Sequence, residues 1–316
     1  MSFQLRPEET LHKSLRRIVR KQIDAVLDEL TAASKGPRDE VVHDARKSLK
    51  KIRAVLRLVR PVIGEKVFRC ENTCFRDAAQ PLTEVRDARI LIETLDKLLQ
   101  HFREHITGWS FADVGQALRD NLRAARKRVL DEHNAFAVLA ETLSEARGRV
   151  KGWTDVPNKW SSVGAGLQDT CRQARAAFRD AAADPAVAKL HEWRKQVKYL
   201  RYQFDVMQPL WPERMEELAD ETDRMGDFLG DDHDLAVLRQ MVDRDPRPVA
   251  DDGERETLVA LIDRRRAELE QEALLLGERF FQDRPRELAR RLKGYCKTWH
   301  GRAGPAQATE SLPARA

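Results

Sequence analysis

The chain has 316 residues, with 57 Lys and Arg against 52 Asp and Glu and a formal net charge of only +5. That length suffices for a sizeable core and two subdomains, and so small a surplus makes the segregation of charge more informative than its total. The composition is rich in Ala, Leu, Arg and Glu and favours helix throughout. No apolar run nears the ~20 residues that span a bilayer, and Met1 to Pro7 lacks the apolar segment of a secretory leader, so a cytoplasmic protein without a membrane span is expected.

The first predicted helix runs from Pro7 to about Ala33, with Leu11, Leu15, Ile18, Val19, Ile23 and Val26 on its apolar face and Arg16, Arg17, Arg20 and Lys21 beside it. Ser34-Lys35-Gly36-Pro37 ends it, and a second helix extends to near Pro61. Glu65 to Ala79 follows, then a break at Pro81 and a helix to about Phe102. Phe111 to Asp131 carries Arg119, Arg123, Arg126 and Lys127 at helical spacing, and Ala135 to Val150 closes a first half. Gly152 to Asn158 breaks the periodicity and divides the chain into residues 1–150 and 151–300. The second half opens with Leu167 to Ala183, carrying Arg172, Arg175 and Arg179. A helix from Asp184-Pro185, an acidic helix from Trp211-Pro212 and a long helix over Glu254 to Leu276 with Arg264 to Arg266 come next, and Asp283 to His300 ends the half. Residues 301–316 are small and polar and read as a disordered tail. Cys70, Cys74, Cys171 and Cys296 lack a tight metal or redox spacing and read as reduced thiols.

One stretch occurs twice. His43, Arg46, Lys47, Lys50 and Arg53 recur as His191, Arg194, Lys195, Lys198 and Arg201, and a proline follows each copy at equal distance, Pro61 and Pro209. On a helix these positions share one stripe, which Arg57 extends in the first copy. The adjoining face is apolar: Val42, Ala45, Leu49, Ile52 and Leu56 in one copy, Leu190, Trp193, Val197, Leu200 and Phe204 in the other. Like charges at i,i+4 repel, so a stripe of cations written twice suggests a polyanion that relieves the repulsion. A second block, Leu82 to Leu91, matches Leu229 to Leu238 in the same order and at nearly the same separation. The pair of blocks indicates a tandem duplication.

These residues resemble the CHAD family, the conserved-histidine α-helical domain, whose signature is a His-x-x-Arg-[Lys/Arg]-x-x-[Lys/Arg]-x-x-Arg helix in each half followed by a Leu-Gly-x-x-Arg/Asn/His-Asp segment. The resemblance runs from roughly Arg6 to His300. The first half departs at Thr83, where glycine is expected, and Arg86 stands where the second half has His233. The resemblance implies an all-α fold of two four-helix-bundle halves related by a pseudo-two-fold. It also implies non-catalytic binding of inorganic polyphosphate in a basic groove between them, with targeting to polyphosphate or storage granules as one role. On that basis His43, Arg46, Lys47, Lys50, Arg53, Arg57, His191, Arg194, Lys195, Lys198 and Arg201 are the candidate contacts. Arg16, Arg20, Arg123, Arg126, Arg172, Arg179 and Arg264 are outer candidates; no cofactor, metal ligand or catalytic residue is expected.

The residues alone leave alternatives. His43-Asp44 and His233-Asp234 are fragments of the ligand set of a metal-dependent HD-type phosphohydrolase, although the surrounding cations repel a divalent ion. Asp87 and Asp234 read as helix-start acids instead. Nucleic acid would meet the same phosphate electrostatics and would need stacking aromatics, for which Tyr199 and Tyr202 are the nearest candidates. The two histidines suit either phosphate contact or a helix junction.

Overall fold

The computed structural model describes residues 3–32, 38–104, 106, 111–153, 156–244, 252–282 and 290–294. Among them every regular element is helical: α1 (Leu11–Ala32), α2 (Arg38–Ile63), α3 (Glu65–Ala78), α4 (Thr83–His101), α5 (Ala112–Arg126), α6 (Ala135–Val150), α7 (Ser161–Ala183), α8 (Val187–Met207), α9 (Pro212–Arg244) and α10 (Asp252–Phe280). A π-helical stretch, Lys127–Glu132, prolongs α5, and a 3-10 turn, Gln208–Leu210, follows α8. The expected tail, Cys296 and most of the loop after Asp243 fall outside the described residues.

The apolar faces of α2 and α8 explain why these two helices sit at the centre. Val42, Ala45, Leu49, Ile52 and Leu56 are all at most 1% exposed, as are Leu190, Trp193, Val197, Leu200 and Phe204. α2 packs on α1, α3, α7 and α8, and α8 on α2, α7 and α9, while α4 meets α5, α9 and α10. The hydrophobic interior forms two clusters. The larger joins α1, α2, α3, α6, α7 and α8, and the smaller joins Leu91, Leu95 and Leu98 of α4 and Val114 and Leu118 of α5 to Leu235, Leu238 and Val242 of α9 and Leu258, Ile262 and Leu269 of α10. Each cluster draws on both halves of the sequence.

Several boundaries differ from the sequence reading. α1 begins at Leu11, not Pro7: Thr10 Oγ1 accepts the Lys13 N–H at 3.3 Å as the N-cap, and Asn158 Oδ1 accepts the Leu11 N–H at 3.0 Å. The segment read as a linker is thus packed at its described ends, with Trp153 and Val156 buried. α2 carries Pro61 within its last turn and stops at Ile63; Gly64, with φ 80, then makes the reversal into α3 at a conformation that glycine adopts without strain. The acidic helix and the Asp234 segment are one 33-residue helix. Asp234 therefore lies inside α9, and its reading as a helix-start acid is corrected. Gly226 and Gly230 do not break α9, because their missing Cβ atoms make room for side chains of α8.

Candidate functional site

The cationic stripes of α2 and α8 meet where α4 and α9 also arrive. Lys50 is the centre. Its side chain is exposed, yet protein crowds it enough to strip hydration, and Arg194, Arg46, Lys198 and Arg86 add repulsion. Together these push its pKa down to about 8. No carboxylate lies within ion-pair distance of Lys50 among the described residues. Arg194 is in the same condition, for its Nε is buried and has no hydrogen-bond partner. A buried donor left unpaired costs about 1–3 kcal/mol, so Arg194 is set for an acceptor from outside the chain, and the exposed Lys50 stands beside it without an ion pair among the described residues.

The neighbours are held in matching ways in the two halves. Arg46 Nη1 donates to the Ala79 carbonyl at 2.8 Å and to Thr83 Oγ1 at 2.6 Å, bracing the α3–α4 corner. Arg194 lies against Gly230, where a Cβ would come within 3.3 Å of its guanidinium. Thr83 and Gly230 occupy equivalent places in the duplicated blocks, so the departure at Thr83 exchanges open room for a hydrogen bond. Lys198 lies along Gly226, where a Cβ would stand 2.9 Å from its Cε. Asp87 and Asp234 sit beside these cations, and burial holds their pKa values above the usual carboxylate range.

Burial and neighbouring cations disfavour the charged form of the histidines in this cluster. Burial lowers the pKa of His43, and Arg86 lowers it further; burial and then Arg194 do the same to His191. His191 stacks 4.4 Å from His233, whose pKa burial and His191 push down to about 4. His233 and Arg86 are recognisable in the sequence as counterparts, yet the stripe alone does not count them among the candidates. The signal that could have found them is their position in the second duplicated block.

Other predicted candidates are engaged elsewhere. Arg57 stacks 3.8 Å from the Tyr199 ring centre and donates to Asn72 Oδ1 at 2.9 Å, and burial lowers its pKa to about 10. Arg53 shares Asn72 at 3.1 Å. Lys195 pairs with Glu192, and Arg201 pairs with Asp205 and approaches Asp223 at 3.4 Å. Lys47 is exposed beside the cluster. Arg126 is bound by Asp39 and ties α5 to the start of α2. Arg123 pairs with Asp120, Arg172 with Asp169 and Arg264 with Glu268, each within its own helix. Arg179 is exposed on α7. Arg16 and Arg20 line an open hollow of about 330 Å³ whose walls all belong to α1. The structure thus gathers Arg46, Lys50, Arg194 and Lys198 from the predicted set and adds Arg86.

Comparison with known proteins agrees with this architecture. A family model described as the CHAD domain matches residues 17–243. No curated protein matches the sequence at a significant level. Among solved structures, the chain is similar to PptA from Streptomyces chartreusis at 17% identity and a TM-score of 0.57, over 87% of this chain and 100% of that one. It is also similar to the CHAD domain from the plant Ricinus communis at 16% identity and a TM-score of 0.56, over 90% and 96%. At these identities the likeness concerns the fold.

Proposed function

The chain belongs to the CHAD domain family, and from that premise we propose that it binds inorganic polyphosphate, without catalysis, in a basic groove between its two halves. The observation that carries this reading is the cation cluster around Lys50, which has a pKa of about 8 and no acid in ion-pair range among the described residues, beside the orphaned Nε of Arg194. Polyphosphate supplies acceptors with little shape of their own. Arginine offers a planar fork to phosphate oxygens and lysine a mobile point charge, and converging cations focus the potential.

The groove follows from relating the halves by a pseudo-two-fold. Two contacts support that relation, since Arg57 lies over Tyr199 and Lys51 feels Asp205. With the offset of 148 residues between the two histidines, these are the same contact seen from either half, and Lys50 facing Lys198 lies on the axis. Packing of α7 on α8, α8 on α9 and α9 on α10 likewise parallels α1 on α2, α2 on α3 and α4 on α5.

Polyphosphate is favoured over nucleic acid because the aromatics are taken. Tyr199 is 4% exposed beneath Arg57, and Tyr202 packs edge-on against Phe3. Neither offers a free face for a base. An HD-type centre would place a divalent cation among Lys50, Arg86 and Arg194, which repel it. A cytoplasmic protein that attaches to polyphosphate or storage granules through this surface is the role that fits the reading. Titration with long-chain polyphosphate, orthophosphate, RNA and heparin at two salt concentrations tests it. Preference for polyphosphate is expected, and equal affinity for every polyanion overturns it. Phosphate release with Mg²⁺ or Mn²⁺ overturns the non-catalytic part.

The protonation states add a second prediction. The folded pKa of Lys50 lies below the 10.5 of a free lysine, so the folded state binds fewer protons than the unfolded one between about pH 8 and 10.5. Stability from this group rises across that window and is lowest below pH 8. His233 acts in the same sense at lower pH: its contribution is whole above 6.5 and is lost as pH falls toward about 4. A bound polyanion returns the proton to Lys50, which faces Arg46 on α2, Arg86 and Asp87 on α4, His191, Arg194 and Lys198 on α8 and His233 on α9. Calorimetry in two buffers of different ionisation heat is expected to show proton uptake on binding at pH 8.5 and much less at pH 7. Equal uptake at both refutes the assignment.

A further inference from the structure

The two stripes differ in what opposes them. Lys198 Nζ lies 3.3 Å from Asp227 and 3.6 Å from Asp223, and Arg201 Nε lies 3.4 Å from Asp223 while its Nη1 pairs with Asp205. In the first half the matching cations, Lys50 and Arg53, make no ion pair among the described residues: Asp87 and Asp77 act on them only from beyond that range, and Arg53 donates to the neutral Asn72. The sequence offset accounts for the difference. It is 148 residues at the histidines and 147 at Leu82 and Leu229. The counterpart of Asp205 is Arg57. That of Asp223 is Phe75 or Arg76, and that of Asp227 is Ala79 or Gln80. Whichever offset applies, no acid stands there.

From this we infer that Asp223 and Asp227 set the extent of the anion site: they occupy Lys198 and Arg201 in the free protein and compete with phosphate for them, so bound polyphosphate is confined to the first-half stripe and Arg194. The inference rests on the polyphosphate reading and adds its specificity determinant. Asp223 and Asp227 are 47% and 69% exposed, and exposed ion pairs contribute little to stability, so their removal leaves the fold in place. A structural role alone predicts loss of stability with no gain in binding. Competition predicts the reverse, because Lys198 becomes available and Arg201 keeps only Asp205, without any new residue.

The test compares the parent chain, Asp223→Asn/Asp227→Asn, the charge-matched control Glu216→Gln/Asp220→Asn, whose two acids are exposed on α9, and Lys50→Glu. Each is titrated with long-chain polyphosphate over a range of salt. The paired-acid variant is expected to bind about tenfold more tightly at low salt. Its log K against log[salt] slope should steepen by about 0.7, the increment for one added phosphate contact at Lys198 by analogy with single-stranded nucleic acid. The control should change affinity less than about twofold. Gain in both double variants alike makes the effect one of net charge and overturns the inference. No gain in either, with Lys50→Glu still abolishing binding, also overturns it and leaves the polyphosphate reading standing. A parent and paired-acid variant that both fail to bind overturn the two together.

Discussion

The double variant Lys50→Glu/Lys198→Glu is expected to lose at least about a hundredfold in polyphosphate affinity at low salt while keeping its helical signal. Each charged hydrogen bond lost is worth about 1.5–3 kcal/mol, and each new glutamate also repels phosphate. The stability changes should differ between the two positions. Lys50 sits among Arg194, Arg46, Lys198 and Arg86 with no acid in ion-pair range among the described residues, so a glutamate there replaces repulsion by attraction and should raise the melting temperature. Lys198 lies beside Asp223 and Asp227, so a glutamate there meets two carboxylates and should lower it. Thermal melts of the single variants read these opposite signs. A double variant that binds as tightly as the parent at low and high salt removes this cluster as the site, and equal signs for the two single variants refute the asymmetry between the halves.

The helices α2 and α8 were legible in the sequence because burial on a helix leaves a period. All ten residues assigned to their apolar faces are buried, and the cations between them fall on the complementary side. Partners supplied by distant segments leave no such period. Nothing near Arg57 in sequence announces Tyr199, and nothing near Arg126 announces Asp39, so both arginines looked as free as Lys50. Glycine in a helical pattern is ambiguous in the same way. Gly226 and Gly230 lie within an unbroken helix and are the places where Lys198 and Arg194 rest against it. The site was therefore readable in its cations, and less so in what holds each of them.

Gly166 is the largest such omission, and its replacement by alanine carries the strongest expected effect on the fold. It lies inside α7, where alanine ordinarily gains about 1 kcal/mol over glycine. Here a Cβ would stand 2.0 Å from the Leu58 carbonyl oxygen and 2.8 Å from that of Arg57. Pro61 explains why this backbone is open to approach: it has no N–H to give to the Arg57 carbonyl four residues earlier. The counterpart of Leu58 in the second half, Val206, likewise has its carbonyl approached from another segment, accepting the Leu5 N–H at 2.9 Å. The obstacle to the added methyl group is main chain, so no rotamer on α2 relieves it, and α7 must retreat from α2. That retreat strains the buried link in which Gln203 Nε2 donates to the Ala54 carbonyl at 3.2 Å and to Thr170 Oγ1 at 3.1 Å. It also opens the packing of Val163 and Leu167, both at 0% exposure. Overpacking of this kind costs about 1–3 kcal/mol and occasionally more. A net loss of about 2 kcal/mol corresponds to a fall of roughly 3 °C in Tm for a chain of this size. Gly148→Ala is the matched control, because a Cβ there meets nothing within 4 Å; it should hold or raise Tm. If Gly166→Ala melts at or above the parent temperature, α7 does not approach α2 as closely as the structure has it.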